Sequence, residues 1–220
     1  MEFNPDCRLC PRLAHFLEEV RQTHPEYYAR PVPSFGDTKA PLLIVGLAPG
    51  MHGANRTGRP FTGDFAGKLL YSTLYQFGFS SDPEPLNEAG HANAELVLRG
   101  CRVTNAVRCL PPQNKPEPAE VRQCNPYLAD ELAGLPSGAA VLALGSVAHT
   151  AILRALGLQP GIAKFSHGAH HALPNGFMLY DSYHCSRYNT QTRRLNEAMF
   201  HAVFSEITLY LSSLGYNPRV

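Results

Sequence analysis

Pro41–Leu47 reads PLLIVGL, and the chain runs straight on into APGMHGANRTGRPFTGD, which ends at Asp64. The first seven residues are an unbroken apolar run closed by a glycine-rich turn, the pattern of a strand buried on both faces. Such a strand has no side to offer to water, so layers are required above and below it. From Asp64 to Phe79 the apolar residues Phe65, Leu69, Leu70, Leu74 and Phe77 recur at helical spacing, and Gly78 closes the segment. The same alternation recurs downstream. Cys101–Val107 (CRVTNAV), Ala139–Leu144 (AAVLAL) and Gly176–Tyr183 (GFMLYDSY) read as strands. Glu117–Leu135, Gly145–Leu156 and Asn189–Leu214 read as helices. Strands separated by helices imply crossover connections and a mainly parallel sheet with helices on both faces, an α/β fold. No repeat or linker interrupts the pattern, so one domain over residues 1–220 is expected.

Composition agrees and excludes other classes. Of 220 residues, 44% are hydrophobic and 17% charged, which suits a globular core. The 19 prolines and 18 glycines are scattered, which excludes collagen and low-complexity disorder. No apolar run approaches the ~20 residues that span a bilayer. The segment MEFNPDCRLCPRL places acids where a secretory leader places lysines. A soluble, cytoplasmic protein with no membrane partner is expected. Nineteen basic and eighteen acidic residues leave a net charge of +1, so no whole-molecule field steers nucleic acid, and only local clusters can do so.

In parallel sheets ligands bind beyond the carboxyl ends of the strands, where Gly46–Asp64, Asn105–Asn114 and His184–Asn189 fall. Glycines directly after a strand let a ligand approach backbone N–H donors. The loop matches neither G-x-x-x-x-G-K-[ST] nor G-x-G-x-x-G, so nucleoside triphosphates and dinucleotides are unsupported. It does carry an aromatic platform, Phe61, and an acid, Asp64, that is both a helix cap and a candidate base. In Ser182–Asn189, His184 is flanked by Ser186, Arg187, Tyr188 and Asn189, a setting for a ligand-facing group. His167, His170 and His171 (HGAHH) resemble a metal motif but lack a nearby carboxylate or Cys in sequence, and read as a solvated or substrate-edge loop.

Six cysteines in a reducing compartment point to metal binding or packing, not disulfides. Cys7-x2-Cys10 with Cys109 and Cys124 would make a four-sulfur site; alternatively, Cys109 and Cys124 are small buried hydrophobes. Spacing alone does not separate zinc from an iron–sulfur cluster. Cys101 and Cys185 read as packed thiols.

Together these segments resemble the iron–sulfur uracil-DNA glycosylases of the type-b (family 5) branch. The resemblance is carried by Cys7 and Cys10, GLAPGMHGANRTGRPFTGD at Gly46–Asp64, TNAVRCLPPQNKP at Thr104–Pro116, Cys124, and SYHCSRYNTQTRRL at Ser182–Leu195. It implies a three-layer αβα sandwich and a [4Fe-4S] cluster on Cys7, Cys10, Cys109 and Cys124. It also implies a monomeric enzyme that excises uracil and other deaminated bases from DNA. Similar proteins of this branch tend to carry Gly where this chain has Arg193.

Cleaving an N-glycosidic bond builds an oxocarbenium-like sugar and an anionic leaving base, and a water captures the sugar. The target base is flipped into a pocket. Phe61 suits the stacking wall, with Gly46, Ala48, Gly50 and His52 completing the base site. His184 suits the donor to uracil O2. Other glycosylase branches place an acidic or polar residue in the first loop where this chain has Leu47, which leaves Asp64 to activate the water. Asn114 is a second candidate for that water, or a turn-forming residue. Asn105 can read uracil N3–H and O4. Arg56, Arg59, Lys68, Arg187, Arg193 and Arg194 are candidate phosphate contacts, and Arg187 with Tyr188 suits the space vacated by the flipped base. Uracil and hypoxanthine present the same donor–acceptor edge, so both are expected substrates. Two rival classes are a non-catalytic iron–sulfur DNA-binding module and a zinc-stabilised nucleotide or nucleoside hydrolase.

Overall fold

In the computed structural model, which describes residues 3–217, the run around Ile44 forms a strand at Leu42–Gly46 with all five residues buried. The elements, in chain order, begin with helix α1 (Pro11–Thr23), strands β1 (Phe35–Gly36) and β2 (Leu42–Gly46), the one-turn α2 (Ala54–Thr57) and α3 (Phe65–Gln76). Then come β3 (Cys101–Asn105), α4 (Pro118–Ala133), β4 (Ala140–Leu144) and α5 (Ser146–Ala155). The chain ends with β5 (His170–Ala172), β6 (Met178–Ser182), α6 (Arg187–Gln191) and α7 (Glu197–Ser213). The strands form one sheet in the order β1-β3-β2-β4-β6-β5. Its four central strands are parallel, and the short edges β1 and β5 pair antiparallel.

Two cores cover the two faces, and the period-2 geometry of a strand decides which side chain enters which. Leu42 and Ile44 of β2, with Leu142 and Leu144 of β4, pack against α3 and α7. Leu43 and Val45, with Val141 and Ala143, pack against α1, α4 and α5. This is the expected three-layer sandwich. From β2 the chain moves outward to β3, then returns through α4 across the sheet to β4 on β2's other side. That reversal opens a crevice beyond the carboxyl ends of β2 and β4. Among the described residues no helix is long and apolar enough to cross a membrane.

The sequence reading needs correction at the C-terminal helix. Asn189–Leu214 is two helices, α6 and α7, separated around Arg193, whose φ of +57° cannot continue a right-handed helix. Ser186 caps α6, and the Asn196 side chain accepts the Met199 N–H at 2.8 Å to start α7. Fully buried Leu195 anchors the break and kept the apolar spacing helical in appearance. The sequence reading also omits α1, which buries Leu13, Leu17 and Val20, and the edge strands, whose two or three residues are too short to show a period.

Candidate active site

A cleft of about 880 Å³ lies at the carboxyl end of the sheet. Ala48, Gly50 and His52 line it from the loop after β2, Asp64 and Lys68 from the start of α3, and Asn114 from the turn after β3. His184, Ser186 and Arg187 line it from the segment after β6. Gly145, Ser146 and Val147, after β4, complete the wall and are absent from the sequence-derived site. The signal for them was the same as at β2: a buried strand closed by a glycine.

Asp64 satisfies both of its sequence readings at once. Its Oδ1 accepts the Gly67 N–H at 2.9 Å and caps α3. Its Oδ2 faces the glycines of the first loop; a Cβ at Gly53 would come within 2.6 Å of it, and one at Gly50 within 3.1 Å. The glycines are therefore what admits the carboxylate to this position. Burial raises the Asp64 pKa, and the backbone N–H groups of Gly67 and Ala66 offset part of the rise.

His184 stacks on Phe61, with ring centroids 5.8 Å apart and planes 25° from parallel. Burial pushes its pKa down to about 4, so the ring is neutral at physiological pH. Its Nδ1 is buried with no hydrogen-bond partner in the protein. The Asn189 side-chain amide donates to the His184 carbonyl at 2.8 Å and holds the segment in place.

Gly46, Phe61 and Asn105 are gathered behind this pair. A Cβ on Gly46 would collide with the Phe61 ring and come within 2.5 Å of Asn105 Oδ1, so only glycine fits. Phe61 holds a φ of +54°, a strained state for a bulky residue. Both Phe61 and Asn105 are buried and stand behind the cleft wall; neither forms its surface. Phe61 thus first sets the plane of His184. His52 accepts or donates a 2.7 Å bond between Nδ1 and the Tyr27 hydroxyl, which ties the loop to the chain after α1. Asn114, with φ +57°, is a turn-forming Asn that also reaches the cleft, so its two readings coexist.

The basic residues divide into two groups. Arg56 donates to the His52 and Gly90 carbonyls, both at 2.9 Å. Arg59 donates to the Asn93 carbonyl at 2.6 Å and lies over the Phe35 ring. Both fasten the first loop to its neighbours, and each keeps N–H donors beyond these bonds. Lys68 and Arg187 are exposed at the cleft, with the Arg187 guanidinium 5.6 Å from the Phe65 ring centroid, and Tyr188 follows Arg187 in chain order, exposed. Arg194 is exposed and lies over Tyr183. The backbone at Arg193 is left-handed, a conformation in which a side chain costs about 1–2 kcal/mol relative to Gly.

Cys7, Cys10, Cys109 and Cys124 line one small pocket between α1, α4 and the segment after β3. Burial, the other thiols and Glu120 push Cys10 up to about 11, and burial also raises Cys109 and Cys124. Thiolates gathered there require a cation. Among the described residues no group of three or more His, Cys, Asp or Glu is arranged to hold a single metal ion. Cys101 and Cys185 are fully buried in the opposite core, as expected of packed thiols. The HGAHH segment departs from its reading as a solvated loop without carboxylate support. His171 lies 3.6 Å from buried Asp181, which pairs with buried His149 at 2.7 Å, while His167 Nδ1 accepts the Tyr183 N–H. Asp181 escaped notice because it sits inside a strand.

Comparison with known proteins places this geometry. A profile of the uracil DNA glycosylase superfamily matches residues 33–208. The chain is 50% identical over 205 residues to a type-5 uracil-DNA glycosylase of Thermus thermophilus, covering 91% of each chain. It is 41% identical to that of Mycobacterium tuberculosis, covering 91% of this chain and 76% of the relative. A type-4 uracil-DNA glycosylase of Pyrobaculum aerophilum is 34% identical over 60% of this chain. Sheet topology, the position of the cleft and these matches agree: the chain belongs to the uracil DNA glycosylase superfamily, among its type-5 members.

Proposed function

We propose that this protein excises uracil from DNA by hydrolysing its N-glycosidic bond, as a cytoplasmic monomer that leaves an abasic site for repair. The observation that carries this reading is the division of labour at Asp64. One carboxylate oxygen caps α3, and the other is turned to a glycine-lined cleft that also holds a neutral His184. The flipped base enters beside His184, whose plane Phe61 sets. A neutral imidazole donates to uracil O2 as negative charge develops there, and it loses no proton in doing so. Asp64 Oδ2 accepts a proton from the water that attacks the sugar carbon, with Asn114 as a second polar contact for that water. Lys68, Arg187 and Arg194 contact phosphates, and Tyr188, 71% exposed, fills the gap left in the stack.

Hypoxanthine is the second substrate. Its N1–H and O6 repeat the edge of uracil N3–H and O4, so a site that reads one edge accepts the other. The cleft's volume and its small residues Ala48, Gly50 and Gly53 leave room for a purine. Adenine reverses the edge, and each unpaired buried polar group costs ~1–3 kcal/mol. Single-turnover assays on matched duplexes are expected to release uracil and hypoxanthine but neither adenine nor thymine. Release of nothing, with DNA binding intact, would favour a binding module. Activity only on free nucleosides, with bound zinc, would favour the hydrolase reading.

The four-thiol pocket suits a [4Fe-4S] cluster on Cys7, Cys10, Cys109 and Cys124. Two half-buried and two buried cysteines line one space, the number of thiolates such a cluster takes. Such a cluster would fasten α1 to α4 and would take no part in bond cleavage. Cys109→Ser is expected to lose iron and to lower the Tm together. Full iron content with an unchanged melt would refute the ligand assignment.

A further inference from the structure

Arg108 is a buried cation in the wall of the thiol pocket. It lines that pocket with all four cysteines, and its backbone N–H donates to Cys124 Sγ at 3.3 Å. Its side chain is 4% exposed, and its Nη2 lies 2.7 Å from a Glu131 oxygen. Glu131 is shared: Arg102 reaches it at 3.1 Å, and the Ser34 hydroxyl donates to it. Two guanidiniums share the Glu131 carboxylate, which therefore offsets only part of their charge, and Asp130 lines the same side. Arg108 Nε and Nη1 are also buried without hydrogen-bond partners. A desolvated guanidinium with two unmatched donors is costly unless an anion lies nearby. On the other side of the pocket the balance is opposite, because Arg12 is shared between Glu120 and Glu117.

We propose that Arg108 sets the midpoint potential of the cluster held by the four thiols, with Glu131 as its partial counterweight. The inference rests on the cluster assignment above. Four thiolates outweigh the positive core, so cluster and ligands form an anion that becomes more negative when it takes up an electron. A buried positive charge beside it stabilises the reduced form more than the oxidised one, and burial makes that effect strong.

The test is a mediated electrochemical titration of the holoprotein, in which the electrode supplies the electron, with iron content and Tm measured on the same samples. Arg108→Met is expected to lower the midpoint potential. Glu131→Gln is expected to raise it, because Arg108 loses its counterweight. Arg108→Lys, which keeps the charge, is expected to restore most of the shift seen in Arg108→Met. Opposite shifts from two variants that break the same ion pair cannot come from lost packing alone. If Arg108→Met fails to hold its cluster, Glu131→Gln decides the matter, with a raised potential supporting the proposal and an unmoved or lowered one overturning it. Shifts of the same sign, or unmoved potentials with the cluster retained, would overturn the proposal. Wild-type protein without iron would overturn the cluster assignment and this inference with it, while uracil release would remain a separate result.

Discussion

Asp64→Asn lowers the single-turnover rate of uracil release by at least ~10²-fold, the lower bound for general-base assistance, and leaves the affinity for DNA nearly unchanged. The substitution is informative because Asn is as good a helix cap as Asp. The bond from the Gly67 N–H to Oδ1 can therefore survive while Oδ2 loses its ability to take a proton. Burial of the carboxylate disfavours its charge, so the Tm is expected to hold or rise. The wild-type pH profile follows from the same shift. The active form is the carboxylate, so the rate falls as pH drops through the Asp64 pKa. Because burial raises that pKa, this limb lies above the ordinary carboxylate value of about 3.9. In Asp64→Asn the limb disappears. An unchanged single-turnover rate would assign the water to another group, with Asn114 first in line.

His184→Phe is expected to cost about 10²–10³-fold in the same assay, the usual effect of removing one donor to a developing anion. Phenylalanine keeps the stack on Phe61, and Nδ1 has no protein partner to lose, so the fold should melt at nearly the same temperature. Burial holds the imidazole neutral down to about pH 4, which makes a second prediction possible from the wild type alone. No titration of His184 should appear in the rate at neutral pH, since the neutral ring already dominates there. A rate that climbs as pH falls through 6–7 would mean that imidazolium is the working form, and the role assigned to a neutral donor would be wrong.

The central strands were legible because β2 and β4 are apolar on both faces, a pattern few other structures produce. Asp64 was legible for a local reason: a carboxylate directly before a helical period is a cap wherever it occurs, and the glycines before it leave it room. Arg56 and Arg59 show where such reasoning is incomplete. A positive charge in a loop has the same appearance in sequence whether it meets a phosphate or a carbonyl of residues 90–93, and only the fold brings those carbonyls close. The break at Arg193 was hidden because buried Leu195 preserved the apolar spacing while the backbone reversed. The His149–Asp181 pair was hidden for the opposite reason, since an acid inside a strand breaks the apolar pattern without naming its partner.

Helix α1 has a consequence for how the chain is made. It precedes α4 by roughly 100 residues, and its contacts lie that far downstream. Leu13, Leu17 and Val20 share a core with Leu128 and Leu132, and Arg12 grips Glu120 through two oxygens. Until α4 has been synthesised these side chains have nowhere to dock. At ~5–20 residues per second, the delay for a segment roughly 100 residues away is on the order of 5–20 s. During that interval the apolar face of α1 (Leu13, Leu17 and Val20) lacks its partner and is open to chaperones and proteases. The helix is therefore secured only after a partner that is translated well behind it.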